Sequence, residues 1–60
     1  MYYLYDLQTI KETISDYFDR FQDLNHKQAT AYLIEIGYRE EVVNLLSEDD
    51  YNDIKARLTL

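Results

Sequence analysis

Asp6-Leu-Gln-Thr-Ile-Lys-Glu-Thr-Ile-Ser-Asp-Tyr-Phe-Asp-Arg-Phe-Gln-Asp-Leu24 decides the fold class of this chain. Leu7, Ile10, Ile14, Tyr17, Phe18, Phe21 and Leu24 recur at steps of three and four residues. At about 100° per residue, this spacing predicts one apolar stripe on an α-helix over 6–24. Glu12, Asp16, Asp19 and Asp23 follow the same step and fall on the opposite side. A single rod is thus expected to carry a core face and a face of one charge sign. Two start signals compete: Asp6 can cap the first turn, and Thr9-x-x-Glu12 reads as a capping box. Asp6 is the better start, because Leu7 already belongs to the stripe. An Asp16–Arg20 pair at i,i+4 would add only about 0.3–0.5 kcal/mol on an exposed helix.

Upstream, residues 1–5 (Met-Tyr-Tyr-Leu-Tyr) leave helix and strand open. A helix starting early would add Tyr3 to the stripe and set Tyr5 over the acidic face, with Tyr2 beside it. Downstream, Asn25-x-x-Gln28 reads as a capping box for a second helix over 26–36. Its inward face is Ala29, Tyr32, Leu33 and Ile36, and Gly37 can supply the left-handed C-terminal cap. Ile34 points away from that face. A short third helix over 39–46 has Glu40 and Glu41 in its first turn, where the helix dipole favours them. Val42, Val43, Leu45 and Leu46 wrap most of its circumference. Ser47-x-x-Asp50 opens a fourth helix over 48–58, with Tyr51, Ile54 and Leu58 inward and an outward Asp53–Arg57 pair. Proline is absent and Gly37 is the one glycine, which disfavours hairpins and linkers. The expected architecture is all-α: a small bundle of about four helices around a single core, in one domain spanning 1–60.

Composition narrows the function. Sixty residues bury only about 60% of the unfolded surface, and without cysteine no disulfide compensates. Twelve acidic residues against six basic ones give a net charge of −6. That sign opposes nucleic acid and anionic membranes and favours basic partners, although solubility accounts for part of it. Hydrophobic residues at 47% are too many for a disordered acidic tail. No apolar run approaches a membrane span, and no basic region leads into an apolar core at the N-terminus, so a cytoplasmic protein is expected.

The residues for catalysis are missing from the pattern. His26 is the sole histidine and is expected to be solvated in the first turn of its helix. No metal-ligand spacing accompanies it, so no metal or cofactor is expected. Ser47 is explained by capping, Ser15 has no base nearby, and one glycine cannot form a phosphate loop. A bundle of this size also leaves little room for a water-poor pocket around a catalytic carboxylate. The chain is therefore expected not to be an enzyme.

Two resemblances concern the second and third helices. Ala29 to Leu46 resembles a helix-turn-helix, with Tyr32, Ile36, Tyr38, Val43 and Leu46 at apolar positions and Gly37 at the turn. That would imply DNA binding through Arg39 and Asn44. Leu33 stands where the motif prefers a very small residue, and Glu40 and Glu41 would repel phosphates. Leu33-Ile34-Glu35-Ile36-Gly37-Tyr38 is similar to the Met-Gly-Phe/Tyr turn of ubiquitin-associated domains, with Ile36 in place of Met. Glu40-Glu41-Val42-Val43-x-x-Leu46 would be that family's second helix, and ubiquitin binding the implication. Small acidic helical chains without cysteine also resemble accessory products of phages and mobile elements.

The acidic face remains as the main functional signal. On a straight helix, Glu12 to Asp23 would span about 16 Å, a length over which duplex DNA carries about ten charges. The four carboxylates are thus a partial imitation of a phosphate row. Tyr17, Tyr32 and Tyr51 occupy core-facing positions, whereas Tyr2 and Tyr5 do not and can serve as interface anchors. The resulting expectation is a small acidic interaction module that binds and regulates or inhibits a protein with a basic surface, such as a nucleic-acid enzyme. Tyr2, Tyr5, Glu12, Asp16, Asp19 and Asp23 are its candidate contact residues. A DNA-binding regulator and a structural homodimer packed through Ile34 or the first stripe are the alternatives.

Overall fold

Helix starts in this chain are set by short polar side chains that satisfy otherwise orphaned backbone N–H groups. The computed structural model describes residues 6–59. Asp6 accepts from the Thr9 N–H at 3.0 Å. Asn25 accepts from the Gln28 N–H at 2.9 Å while the Gln28 side chain accepts from the Asn25 N–H at 3.0 Å, a complete capping box. Ser47 accepts from the Asp50 N–H at 3.1 Å. Each such cap is typically worth about 1 kcal/mol. The helices are α1 (Leu7–Asp16), α2 (Phe18–Phe21), α3 (His26–Glu35), α4 (Glu40–Val43) and α5 (Glu48–Leu58). The described residues contain no strand, and the fold is an all-α small bundle.

The expected rod over 6–24 is interrupted. Tyr17 leaves helical geometry at φ −120°, ψ 40°, and α2 continues as a separate single turn. Neither proline nor glycine lies in the stretch, so the cause is packing. The Thr13 hydroxyl donates to the Thr9 carbonyl at 3.0 Å, a back-bond that tends to bend helices. Beyond the break, Arg20 N–H bonds the Tyr17 carbonyl at 2.9 Å, three residues back rather than four. The break costs about one helical hydrogen bond, roughly 0.5–1.5 kcal/mol net. In exchange Phe21 becomes fully buried, and burial of such a side chain gives roughly 1.5–3 kcal/mol. Burial wins. Phe18 and Leu24 become half-buried, while Tyr17 turns outward.

The C-terminus of α3 is closed as its glycine predicts. Gly37 has φ +121°, open to glycine and strained for other residues. Its N–H bonds the Ile34 carbonyl at 3.1 Å and the Tyr38 N–H bonds the Leu33 carbonyl at 3.0 Å, the paired bonds of a Schellman motif. The third expected helix, 39–46, is shorter: α4 ends at Val43, and Leu45 and Leu46 follow in bonds to residues three back. Arg39 provides no side-chain cap for it, and β-branched Val42 and Val43 are poor propagators.

Ile10, Ile14, Phe21, Ala29, Leu33, Val43, Leu46 and Tyr51 form the buried core. α1 and α3 each pack against both α4 and α5. Ile36 and Leu45, both expected inside, are instead exposed, and Ile34 is exposed as well. The Tyr51 hydroxyl reaches the carbonyls of Phe21 (2.9 Å) and Leu24 (2.8 Å), so its one proton is shared between the last backbone acceptors of α2 and the turn after it. Lys55 Nζ donates to the same Leu24 carbonyl at 3.0 Å and lies over the Tyr51 ring. The α2 C-terminus is thus capped from α5, thirty-one residues away in sequence at its longest link. Among the described residues no buried side-chain polar atom lacks a partner.

Candidate functional site

His26 is not the solvated residue its position suggests. It is half-buried, and its Nε2 sits 2.7 Å from the Leu46 carbonyl, with the ring beside Tyr51. Since a carbonyl only accepts, Nε2 carries the proton in this bond. The ring ties the start of α3 to the turn before α5, so its role is structural. Among the described residues no group of three His, Cys, Asp or Glu side chains could hold a metal ion.

Glu12, Asp16, Asp19 and Asp23 are all exposed. None forms an ion pair with another described residue. Glu12 and Asp16 remain one turn apart on α1, but Asp19 lies on α2 and Asp23 in the turn beyond it. The single straight row of four carboxylates is therefore corrected to two short groups on either side of the Tyr17 break. The expected Asp16–Arg20 pair is absent for the same reason. Arg20 Nη1 instead donates to the Tyr32 hydroxyl at 3.3 Å, which raises the Arg20 pKa further above its already high ordinary value. Tyr2 and Tyr5, the remaining candidate contacts, lie outside the described residues.

Four of the six cations have partners in the fold, two of them in solvent-exposed ion pairs. Arg57 pairs with Asp53 at 3.1 Å, Arg39 with Glu41 at 3.5 Å, Lys55 caps Leu24 and Arg20 rests on Tyr32. The acidic excess of the sequence therefore faces outward largely uncompensated.

The Tyr17 break also opens a groove that the sequence did not predict. Thr13, Tyr17, Arg20, Phe21, Tyr32 and Ile36 line a cavity of about 330 Å³ between the α1–α2 joint and α3. Phe21 and Tyr32 meet edge-to-face at its base, with ring centroids 5.3 Å apart. Tyr17, 57% exposed, and Ile36, 47% exposed, form its rim. The helical spacing assigns both to the core. The Thr13 hydroxyl is held by the Tyr38 hydroxyl at 2.6 Å, and Arg20 brings the one charged group of the lining.

Of the helix-turn-helix resemblance, the α3–Gly37 corner is present, and the helix that follows it, α4, has four residues, about 6 Å at the helical rise. Arg39 is moreover paired with Glu41. Comparison with protein families, curated proteins and solved structures found no match to the chain. Among the described residues no helix is long and apolar enough to cross a membrane.

Proposed function

We propose that this chain is a small acidic interaction module that binds and regulates or inhibits a protein with a basic surface, such as a nucleic-acid enzyme, in the cytoplasm. The observation that supports it is an asymmetry: Glu12, Asp16, Asp19 and Asp23 are exposed without an ion-pair partner among the described residues, while four of the six cations are engaged elsewhere, two of them in exposed ion pairs with other acids. Free carboxylates on a rigid scaffold steer a basic partner and raise its association rate, an effect that salt screens. They need not copy a phosphate row to do so, and the break at Tyr17 favours the broader reading of a basic protein surface over mimicry of duplex DNA. Tyr2 and Tyr5 remain candidate anchors. Little in the chain favours a reaction as its activity: it holds one histidine, used in packing, and no cysteine.

The test is affinity capture from the source cell with the natural chain and with a variant carrying Glu12→Gln, Asp16→Asn, Asp19→Asn and Asp23→Asn. A specific basic partner should be retained by the first, released by moderate salt and lost from the second. Equal retention on both columns would end the proposal.

A further inference from the structure

We propose that the groove between the α1–α2 joint and α3 is an anchor site for a bulky apolar side chain on a Lys- or Arg-rich segment of the partner protein. This inference rests on the interaction-module reading and gives it a location. The space of about 330 Å³ is at the lower end of ligand-sized pockets, about 300–1,000 Å³, and suits one aromatic or branched side chain. Its rim is the most informative part. Tyr17 and Ile36 expose large apolar surface, yet both belong to helical stripes whose other members are buried or half-buried. Tyrosine at such a rim offers apolar area with a polar tip, the composition enriched at binding hot spots. Thr13 is bonded to Tyr38 and one Arg20 N–H to Tyr32, so the polar groups still open include the rest of the exposed Arg20 guanidinium and the Tyr17 hydroxyl. Between them Phe21, Tyr32 and Ile36 leave apolar surface that a bulky apolar side chain can fill.

Charge decides the occupant. Arg20 is the one charged residue of the lining, and Asp19 interacts with it electrostatically. Asp16 flanks Tyr17 in the chain, Asp19 lies two residues beyond it and Glu35 precedes Ile36, so three exposed carboxylates without ion pairs to described residues border the rim against that single cation. A segment placing its apolar residue in the groove would lay the neighbouring side chains against these carboxylates. Lysines or arginines there are attracted, whereas acidic side chains or phosphates are repelled. A second copy of this chain, itself at −6, would bring like charge to the same place.

The probe is a short helical peptide with one tryptophan between lysines. The protein has no tryptophan, so the peptide's emission reports binding directly. Saturable binding is expected, weakened about tenfold or more by Tyr17→Ala or Ile36→Ser. Leu45→Ser, which removes an equally exposed apolar side chain outside the groove, should leave it unchanged. A peptide with glutamates for lysines, and one with alanine for tryptophan, should both fail. Binding that survives Tyr17→Ala and Ile36→Ser but is lost when the carboxylates are neutralised would overturn the groove site while leaving the basic-partner reading intact. Equal binding of the glutamate peptide, or self-association through the groove in place of peptide binding, would overturn the inference outright.

Discussion

Tyr51 and Tyr17 are the same residue type at helical positions that the periodicity assigns to the core, and the fold uses them in opposite ways. Tyr51 is fully buried in α5, with its hydroxyl shared by two carbonyls and its ring between His26 and Lys55. Tyr17 sits at the break between α1 and α2, more than half exposed. Around Tyr51 every polar group has a partner and the helix ends converge. Around Tyr17 an apolar wall is left open to solvent. In a domain this small, buried area is scarce, so an apolar side chain left outside represents stability not collected. The difference separates the part of the molecule that holds it together from the part available to hold something else.

That contrast can be broken by mutation. Tyr51→Ala should cost about 3–5 kcal/mol, the loss for a buried aromatic, and take one of two donors from each of the Phe21 and Leu24 carbonyls. In a domain of marginal stability this amounts to unfolding, visible as loss of the cooperative transition in far-UV circular dichroism. Gly37→Ala tests the backbone alone: a Cβ there meets nothing within 4 Å, so the cost of about 1–3 kcal/mol would come from φ +121°. Tyr51→Phe keeps the ring and should cost about 0.5–1.5 kcal/mol in urea denaturation, because the Phe21 and Leu24 carbonyls lose a hydrogen bond from the phenol but keep the Leu24 N–H and Lys55 as donors. Tyr17→Ala should shift stability by no more than about 0.5 kcal/mol, as expected for an exposed position. A Tyr17→Ala cost as large as that of Tyr51→Phe would erase the distinction.

Titration sharpens the same comparison. Burial pushes the Tyr51 phenol above the ordinary value of 10.0, so folding favours its neutral form. Its contribution is complete below pH 10 and is lost as pH rises through the raised folded value. Urea midpoints should therefore fall more steeply above pH 10 in the natural protein than in Tyr51→Phe. At the other extreme, the Thr9 N–H and then its hydroxyl hold Asp6 below the ordinary carboxylate value of 3.8. That cap is present above pH 3.8 and lost as pH falls through the lowered value. The expected signature is a small fraying of α1 in acid, absent in Asp6→Asn, which caps without ionising.

Much of this molecule was legible in its sequence. Asp6, Asn25-x-x-Gln28, Ser47-x-x-Asp50 and Gly37 encode helix ends through contacts only a few residues long, and all four act as local chemistry predicts. Asp53–Arg57 forms for the same reason. What could not be read was set by distant partners. Tyr17 is expelled because burying Phe21 and presenting two carbonyls to Tyr51 outweighs helix continuity, and Tyr51 lies far along the chain. His26 lacks any local sign that its ring would meet Leu46. The groove follows from the break, so periodicity, which assumes an unbroken helix, counts Tyr17 and Ile36 as core. The four carboxylates were recognised as exposed, but their arrangement as one row depended on that same assumption.

Backbone amide chemical shifts of the labelled protein, followed as the lysine–tryptophan peptide is added, test the division most directly. The account predicts saturable changes concentrated at Thr13, Tyr17, Arg20, Tyr32 and Ile36, with the amides of Tyr51, Lys55 and Leu46 undisturbed. Changes centred on α4 and α5, or spread evenly over the molecule, would contradict it.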